Sequence, residues 1–169
     1  NSGYYFSTVT DQIIENNNDT VNIIFNVEIG EKAYIKSIEF IGDKHFKDRI
    51  LRNIIVSEET KFWKFITNRK FINPENIELD KRLLKNYYLN KGFYQVVVND
   101  SLVEFTENND FKLSYNINSG PKFIISESKL TLPDDYDEKD FVNIKKKLKK
   151  LEGKTYSLNN LNKIAKEVE

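Results

Sequence analysis

The residues best equipped for chemistry in this 169-residue chain are few and scattered. His45 is the sole histidine and stands between Asp43 and Asp48. Acid-base or metal chemistry there needs a second histidine or an aligned nucleophile, and the neighbourhood supplies neither, so His45 is expected to be a turn residue. Paired carboxylates occur as Glu58-Glu59 and Asp134-Asp135, on loops without the histidine or lysine that would tune one partner against the other. The glycines Gly42, Gly92 and Gly120 stand singly and form no phosphate-cradling loop. Cysteine is absent, which removes disulfides, thiolate catalysis and cysteine-ligated metals together. No enzyme activity, cofactor or metal is expected.

Charge points the same way. Twenty-six Lys and Arg balance twenty-six Asp and Glu, so no net field draws the chain to nucleic acid or an anionic membrane. The run Lys145-Lys146-Lys147 with Lys149-Lys150 interleaves with Ile144, Leu148 and Leu151 at helical spacing, the pattern of a solvated helix face. Trp63, with Phe62 and Phe65 beside it, is either a cap over a core or a patch for a partner. No apolar run approaches the 18 residues a membrane helix needs. Targeting or anchoring sequence is expected to lie outside the segment.

What positions these residues is a repeat of about 90 residues. Gly3-Tyr4-Tyr5 opens a hairpin turned at Asn16 to Asp19 and closed at Gly30; Gly92-Phe93-Tyr94 opens a second, turned at Glu107 to Asp110 and closed at Gly120. Arrays of this kind bind along surfaces more often than they catalyse. Odd positions are apolar from Val21 to Ile29, and again at Phe111, Leu113, Tyr115 and Ile117, the period of strands with one buried face. The outgoing arm of the second hairpin changes phase between Tyr94, Val96, Val98 and Val103, Phe105, which a β-bulge near Asn99 to Ser101 would absorb. Further strands are expected at 34–41 and 123–132.

Two helices are expected after each opening strand. The first spans 48–56. The second starts at Asn73, a good N-cap, with Pro74 at the first helical position and Gly92 at its end. Its inward face is Ile77, Leu83, Leu84, Tyr87 and Tyr88. In the last copy Phe141, Ile144, Leu148 and Leu151 repeat the helical spacing, and Ser157 precedes Leu158, Leu161, Ile164, Ala165 and Val168. The fold class is therefore α+β, in tandem β-α-α-β-β modules, each a three-stranded mixed sheet with two helices on one face. A right-handed crossover predicts parallel first and second strands, with the third between them and the second at the edge. The expected boundaries are 1–32 for the closing hairpin of a preceding module, 33–121 for a complete one, and 122–169 for the first half of a third, so the chain is expected to be a fragment. Gly120-Pro121 predicts a short hinge between modules.

Two motifs in this frame carry a resemblance. Phe40-Ile41-Gly42-Asp43-Lys44-His45-Phe46 and Tyr87-Tyr88-Leu89-Asn90-Lys91-Gly92-Phe93-Tyr94 resemble the signatures of POTRA (polypeptide-transport-associated) domains in the BamA family of outer-membrane protein assembly factors. The likeness covers essentially the whole chain, and Trp63 with Asn68-Arg69-Lys70-Phe71 is most similar to the third domain of a five-domain member. Departures are Asp43 where the family usually has Asn, Lys47 where it has Ser or Thr, and Leu132-Pro133-Asp134-Asp135-Tyr136 in place of a glycine turn.

The resemblance implies a non-catalytic periplasmic scaffold of Gram-negative bacteria, part of a protein anchored in the outer membrane by a C-terminal barrel absent from this chain. Implied partners are unfolded outer-membrane protein clients and accessory, BamB-like lipoproteins. The expected contact is the edge strand Phe93, Tyr94, Gln95, Val96, Val97, Val98, Asn99, Val103 and Phe105, which can accept an extended strand by β-augmentation. Gly42, Asp43, Gly92 and Gly120 are structural turns, with Trp63 and Phe65 a possible second patch. The alternatives are a TamA-type or two-partner secretion transporter and, from a different class, a KH-like RNA-binding module. The KH fold needs a Gly-x-x-Gly loop, and 57–72 contains no glycine.

Overall fold

The computed structural model describes residues 7–30, 34–60, 71–99, 102–106 and 110–167. Strands β1 (Thr8–Glu15) and β2 (Val21–Glu28) form an antiparallel hairpin that is a sheet of its own. Its register runs from Thr8 opposite Glu28 to Glu15 opposite Val21. The turn closes through the Asn16 N–H to the Thr20 carbonyl at 2.8 Å, with Asp19 in the left-handed region that short polar side chains tolerate. The alternating apolar residues Val9, Ile13, Val21, Ile23, Phe25 and Val27 share one face of this ribbon and are exposed.

The central body contains β3 (Tyr34–Asp43), α1 (Asp48–Arg52), α2 (Pro74–Leu89), β4 (Val97–Val98), β5 (Leu102–Phe105) and β6 (Asp110–Asn118). Strand β6 lies in the middle, parallel to β3 on one side and antiparallel to β4 and β5 on the other. Ile35, Ile38 and Phe40 of β3 and Phe111, Leu113, Tyr115 and Ile117 of β6 are buried against Leu51 of α1 and Ile77, Leu84 and Tyr88 of α2. The inward residues of β3 change phase after Ile35 because the register with β6 shifts between Ile35 and Ser37.

Helix α2 begins as its sequence dictates. Asn73 accepts the Glu75 N–H at 2.8 Å and Pro74 takes the first position. Helix α1 is shorter than the expected 48–56, because the Val56 and Ser57 amides donate to the Asp80 carboxylate instead of extending a helical ladder. After β6, a 3-10 turn (Glu138–Phe141) leads into α3 (Val142–Lys149) and then α4 (Leu158–Ala165).

Two expectations need correction. The parallel pair is the first and third strands of the body, not the first and second. The bridge between Tyr34 and Phe71 returns the chain to the start of β3 before α2 begins, and the His45 ring, 4.6 Å from that of Phe93, sets the end of α2 beside the far end of β3. Helix α2 therefore runs alongside β3, and β4 must descend against it. The segment 123–132 is no strand: it makes a single bridge, Ile124 to Thr155. Strand β3 is held along its length by its ladder to β6, whereas 123–132 pairs only at its start, where Phe123 and Ile125 make backbone bonds to 153–156.

Candidate strand-accepting edge

Strands β4 and β5 flank β6, and no strand lies on their outer side among the described residues. Val98 sits opposite Ile117 and Leu102 opposite Ser114, so the outer strand spends one residue more than β6 over the same span. That is the expected bulge, although 100–101 themselves fall outside the described residues. The Asn99 N–H donates to the Asn116 carbonyl at 2.8 Å and the Thr106 N–H to the Asp110 carbonyl at 2.8 Å. Peptide groups alternate sides along a strand, so the Val98 and Val103 amides face outward, away from β6.

The nine expected edge residues divide by what they touch. Phe93 and Val96 are buried and anchor the arm, while Val98 and Val103 pack half-buried against the core. Gln95, Val97, Asn99 and Phe105 are exposed. Tyr94 is exposed as well, but its ring packs on Phe123 at 6.2 Å and on Tyr156 at 5.2 Å.

The arm is aimed by the end of α2. The Lys91 and Phe93 amides both donate to the Tyr88 carbonyl, at 2.9 and 3.1 Å. Gly92 between them takes φ 100°, a conformation that L side chains rarely adopt. Phe93 then enters a ring cluster in which Phe46 lies 5.0 Å from both Tyr87 and Tyr88. The Tyr88 phenol is fully buried without a well-formed hydrogen bond. Burial pushes its pKa up to about 12, against a small opposing pull from the His45 and Phe46 amides.

Sequence reasoning missed Asp80, which holds α2 to this sheet. Its carboxylate is wholly buried, accepting the Val56 N–H at 2.6 Å, the Ser57 N–H at 3.3 Å and the Tyr115 hydroxyl at 2.6 Å. Burial raises the Tyr115 pKa, and the bond to Asp80 and its charge raise it further. The signal was available: Ile77, Asp80, Leu84 and Tyr88 form one stripe of α2, and a lone acid in such a stripe demands partners.

The join to α3 and α4 is fastened by hydrogen bonds. Asn90 Oδ1 accepts the Asn159 N–H at 2.7 Å and the Ser157 hydroxyl at 3.3 Å, while Asn90 Nδ2 donates to the Asn86 carbonyl at 2.8 Å. Ser157, the expected cap of α4, makes no capping bond itself. Asn90 supplies it from the end of α2. The Phe123 N–H donates to the Gly92 carbonyl at 2.8 Å.

The three expected turn glycines, Gly42, Gly92 and Gly120, all adopt positive φ; a Cβ on Gly42 would meet the Ile117 carbonyl oxygen at 2.4 Å. Asp43 is the last pair of the β3–β6 ladder, opposite Asn118. His45 is exposed in a bend. Trp63 and Phe65 lie outside the described residues, as do 107–109 of the second hairpin tip. The lysine run makes surface ion pairs, Lys145 to Glu138 at 2.6 Å and Lys149 to Glu152 at 2.7 Å.

A mixed sheet with two helices on one face, an outer strand that no other described strand covers, and backbone bonds to the next stretch of chain define a class, the β-α-α-β-β fold. The chain belongs to the POTRA family, whose model, described as surface antigen variable number repeat, matches residues 33–120. Outer membrane protein assembly factor BamA of Neorickettsia risticii is 22% identical over 152 residues, which cover 90% of this chain and 20% of that protein. Its counterpart in Nitratidesulfovibrio vulgaris is 25% identical over 122 residues, covering 72% of this chain and 15% of that protein. The crystal structure of Haemophilus influenzae BamA POTRA3-5 matches with a TM-score of 0.59 at 15% identity, over 96% of this chain and 60% of that one, a likeness of fold.

Proposed function

We propose that this chain is a non-catalytic periplasmic segment of an outer-membrane protein assembly factor, and that it takes extended client polypeptides or accessory lipoproteins onto the β4–β5 edge by β-augmentation. The observation that carries this is the outer side of β4 and β5, which no strand covers among the described residues, with the Val98 and Val103 amides turned outward. Such an edge reads backbone more than side chains, which suits a scaffold that handles many β-rich clients. Within the proposal, 1–32 is the closing hairpin of one POTRA unit, 33–121 a whole unit and 122–169 the opening half of a third. The Neorickettsia and Nitratidesulfovibrio relatives are both named as BamA, which favours this reading over a TamA-type or two-partner secretion transporter. No described helix is long and apolar enough to cross a membrane, and the proposed anchor is a barrel beyond this segment.

The test is Val98→Pro. Proline removes the outward donor and is tolerated on an edge whose N–H faces away from the ladder. At Val97 it would instead strike the side that pairs with Asn118. An extended peptide of alternating apolar and polar residues, taken from a barrel strand, is expected to bind the wild type and to lose about tenfold or more in affinity for the variant. Unchanged affinity in a folded variant would remove the edge from the proposal.

A further inference from the structure

The sheet has a second edge, the outer side of β3, and its middle, at Ile38, is occupied by side chains. Glu59 Oε1 accepts the Ile38 N–H at 3.0 Å, and Arg52 Nη2 donates to the Ile38 carbonyl at 2.6 Å. The two groups are held together, with Arg52 Nε and Nη2 each 3.1 Å from the same Glu59 oxygen. A neighbouring strand would offer Ile38 the same pair, an acceptor for its N–H and a donor for its carbonyl. On either side of this clamp the Thr60 N–H takes the Ile35 carbonyl at 2.8 Å, and Lys44, anchored on Asp48 at 2.6 Å, takes the Phe40 carbonyl.

The Arg52, Glu59 and Thr60 contacts come from the end of α1 and the connection just after it, which pack into the core through Leu51 and Ile55, and the Lys44 contact comes from the turn before α1. Sheets commonly protect an exposed edge with charged side chains. Here the charges of Arg52 and Glu59 face the backbone and take both the N–H and the carbonyl of Ile38.

We infer that Arg52 and Glu59 close the β3 edge to strand addition, so that of the two edges of this sheet only β4–β5 is open to an incoming extended polypeptide. The directing role rests on the proposed function; the closure itself does not. The pair is a positioning device, deciding where a client strand can seat without contributing to the seat.

The experiment uses the full chain and a barrel-strand peptide carrying a photo-crosslinking residue, with crosslinks mapped by mass spectrometry. In the wild type, crosslinks are expected on β4–β5 and none on β3. In Glu59→Ala and in the double variant Arg52→Ala/Glu59→Ala, new crosslinks beside Ile38 are expected and the peptide ratio rises by about one per chain. Without peptide, the Ile38 amide is expected to exchange about tenfold faster or more in Glu59→Ala. Glu59→Gln, whose amide oxygen still accepts the Ile38 N–H, is expected to stay closed. Faster exchange at Ile38 with no β3 crosslinks would overturn the inference, as would unchanged exchange. Absence of β4–β5 crosslinks in the wild type would count against the proposed function alone, since crosslinks gained on β3 would still establish the clamp.

Discussion

Asp80 is an acid placed where an aliphatic side chain would have packed, and it ties three separate segments together. Removing it by Asp80→Ala strands the Val56 and Ser57 amides and the Tyr115 hydroxyl, all buried or partly buried. The expected cost is about 3–5 kcal/mol, measured by urea unfolding. Tyr115→Phe leaves the two amide bonds in place and is expected to cost about 1–2 kcal/mol. Tyr88→Phe is expected to be near neutral at pH 7, because that hydroxyl has no well-formed bond to lose. Its effect belongs to alkaline pH. The Tyr88 pKa is raised to about 12 in the fold, against about 10 in the unfolded chain. Below about pH 10 both states hold the proton and its contribution is fully present. Above that pH the unfolded chain ionises first, so stability falls as pH rises towards about 12. Urea midpoints taken across that window are expected to fall less steeply in Tyr88→Phe than in the wild type.

At the level of elements, the turn that ends α2 also anchors α4. Asn90→Ala deletes the acceptor for the Asn159 amide, a loss of about 1 kcal/mol felt by α4, whose own Ser157 makes no capping bond. Faster hydrogen exchange at Asn159 is the expected readout, and Asn90→Asp, which keeps the oxygen, is expected to retain protection. Gly92→Ala is harsher. The new Cβ would stand 2.5 Å from Thr155 Cγ2 and 2.9 Å from Lys122 Cγ, on a backbone at φ 100°. A loss of about 1–3 kcal/mol is expected, with contact between the central body and α4 loosened before the body itself unfolds. The start and end of α2 were legible because Asn73-Pro74 and Gly92 act locally. Asn90 was not, since its partner lies 69 residues on.

Across the whole molecule, order should be uneven. The β1–β2 ribbon buries neither face, and an isolated two-stranded hairpin is at best marginal in water. Its amides are therefore expected to exchange much faster than those of β3 and β6; equal protection would show that something covers the ribbon. The alternation of Phe111 to Ile117, the hairpin arms and the bulge were all readable, because strand period and register are written locally. The sense of the sheet was not. It depends on how often the chain reverses between β3 and β4, which is decided by the Tyr34–Phe71 bridge. The pattern at 123–132 misled for a related reason: alternation describes a face, and a strand also needs a neighbour. Asp80, Arg52 and Glu59 were hidden because each finds its role through distant backbone. Asn90 sets a schedule as well as a joint. It leaves the ribosome 69 residues before Asn159, so the acceptor that α4 needs can already be in place when α4 emerges.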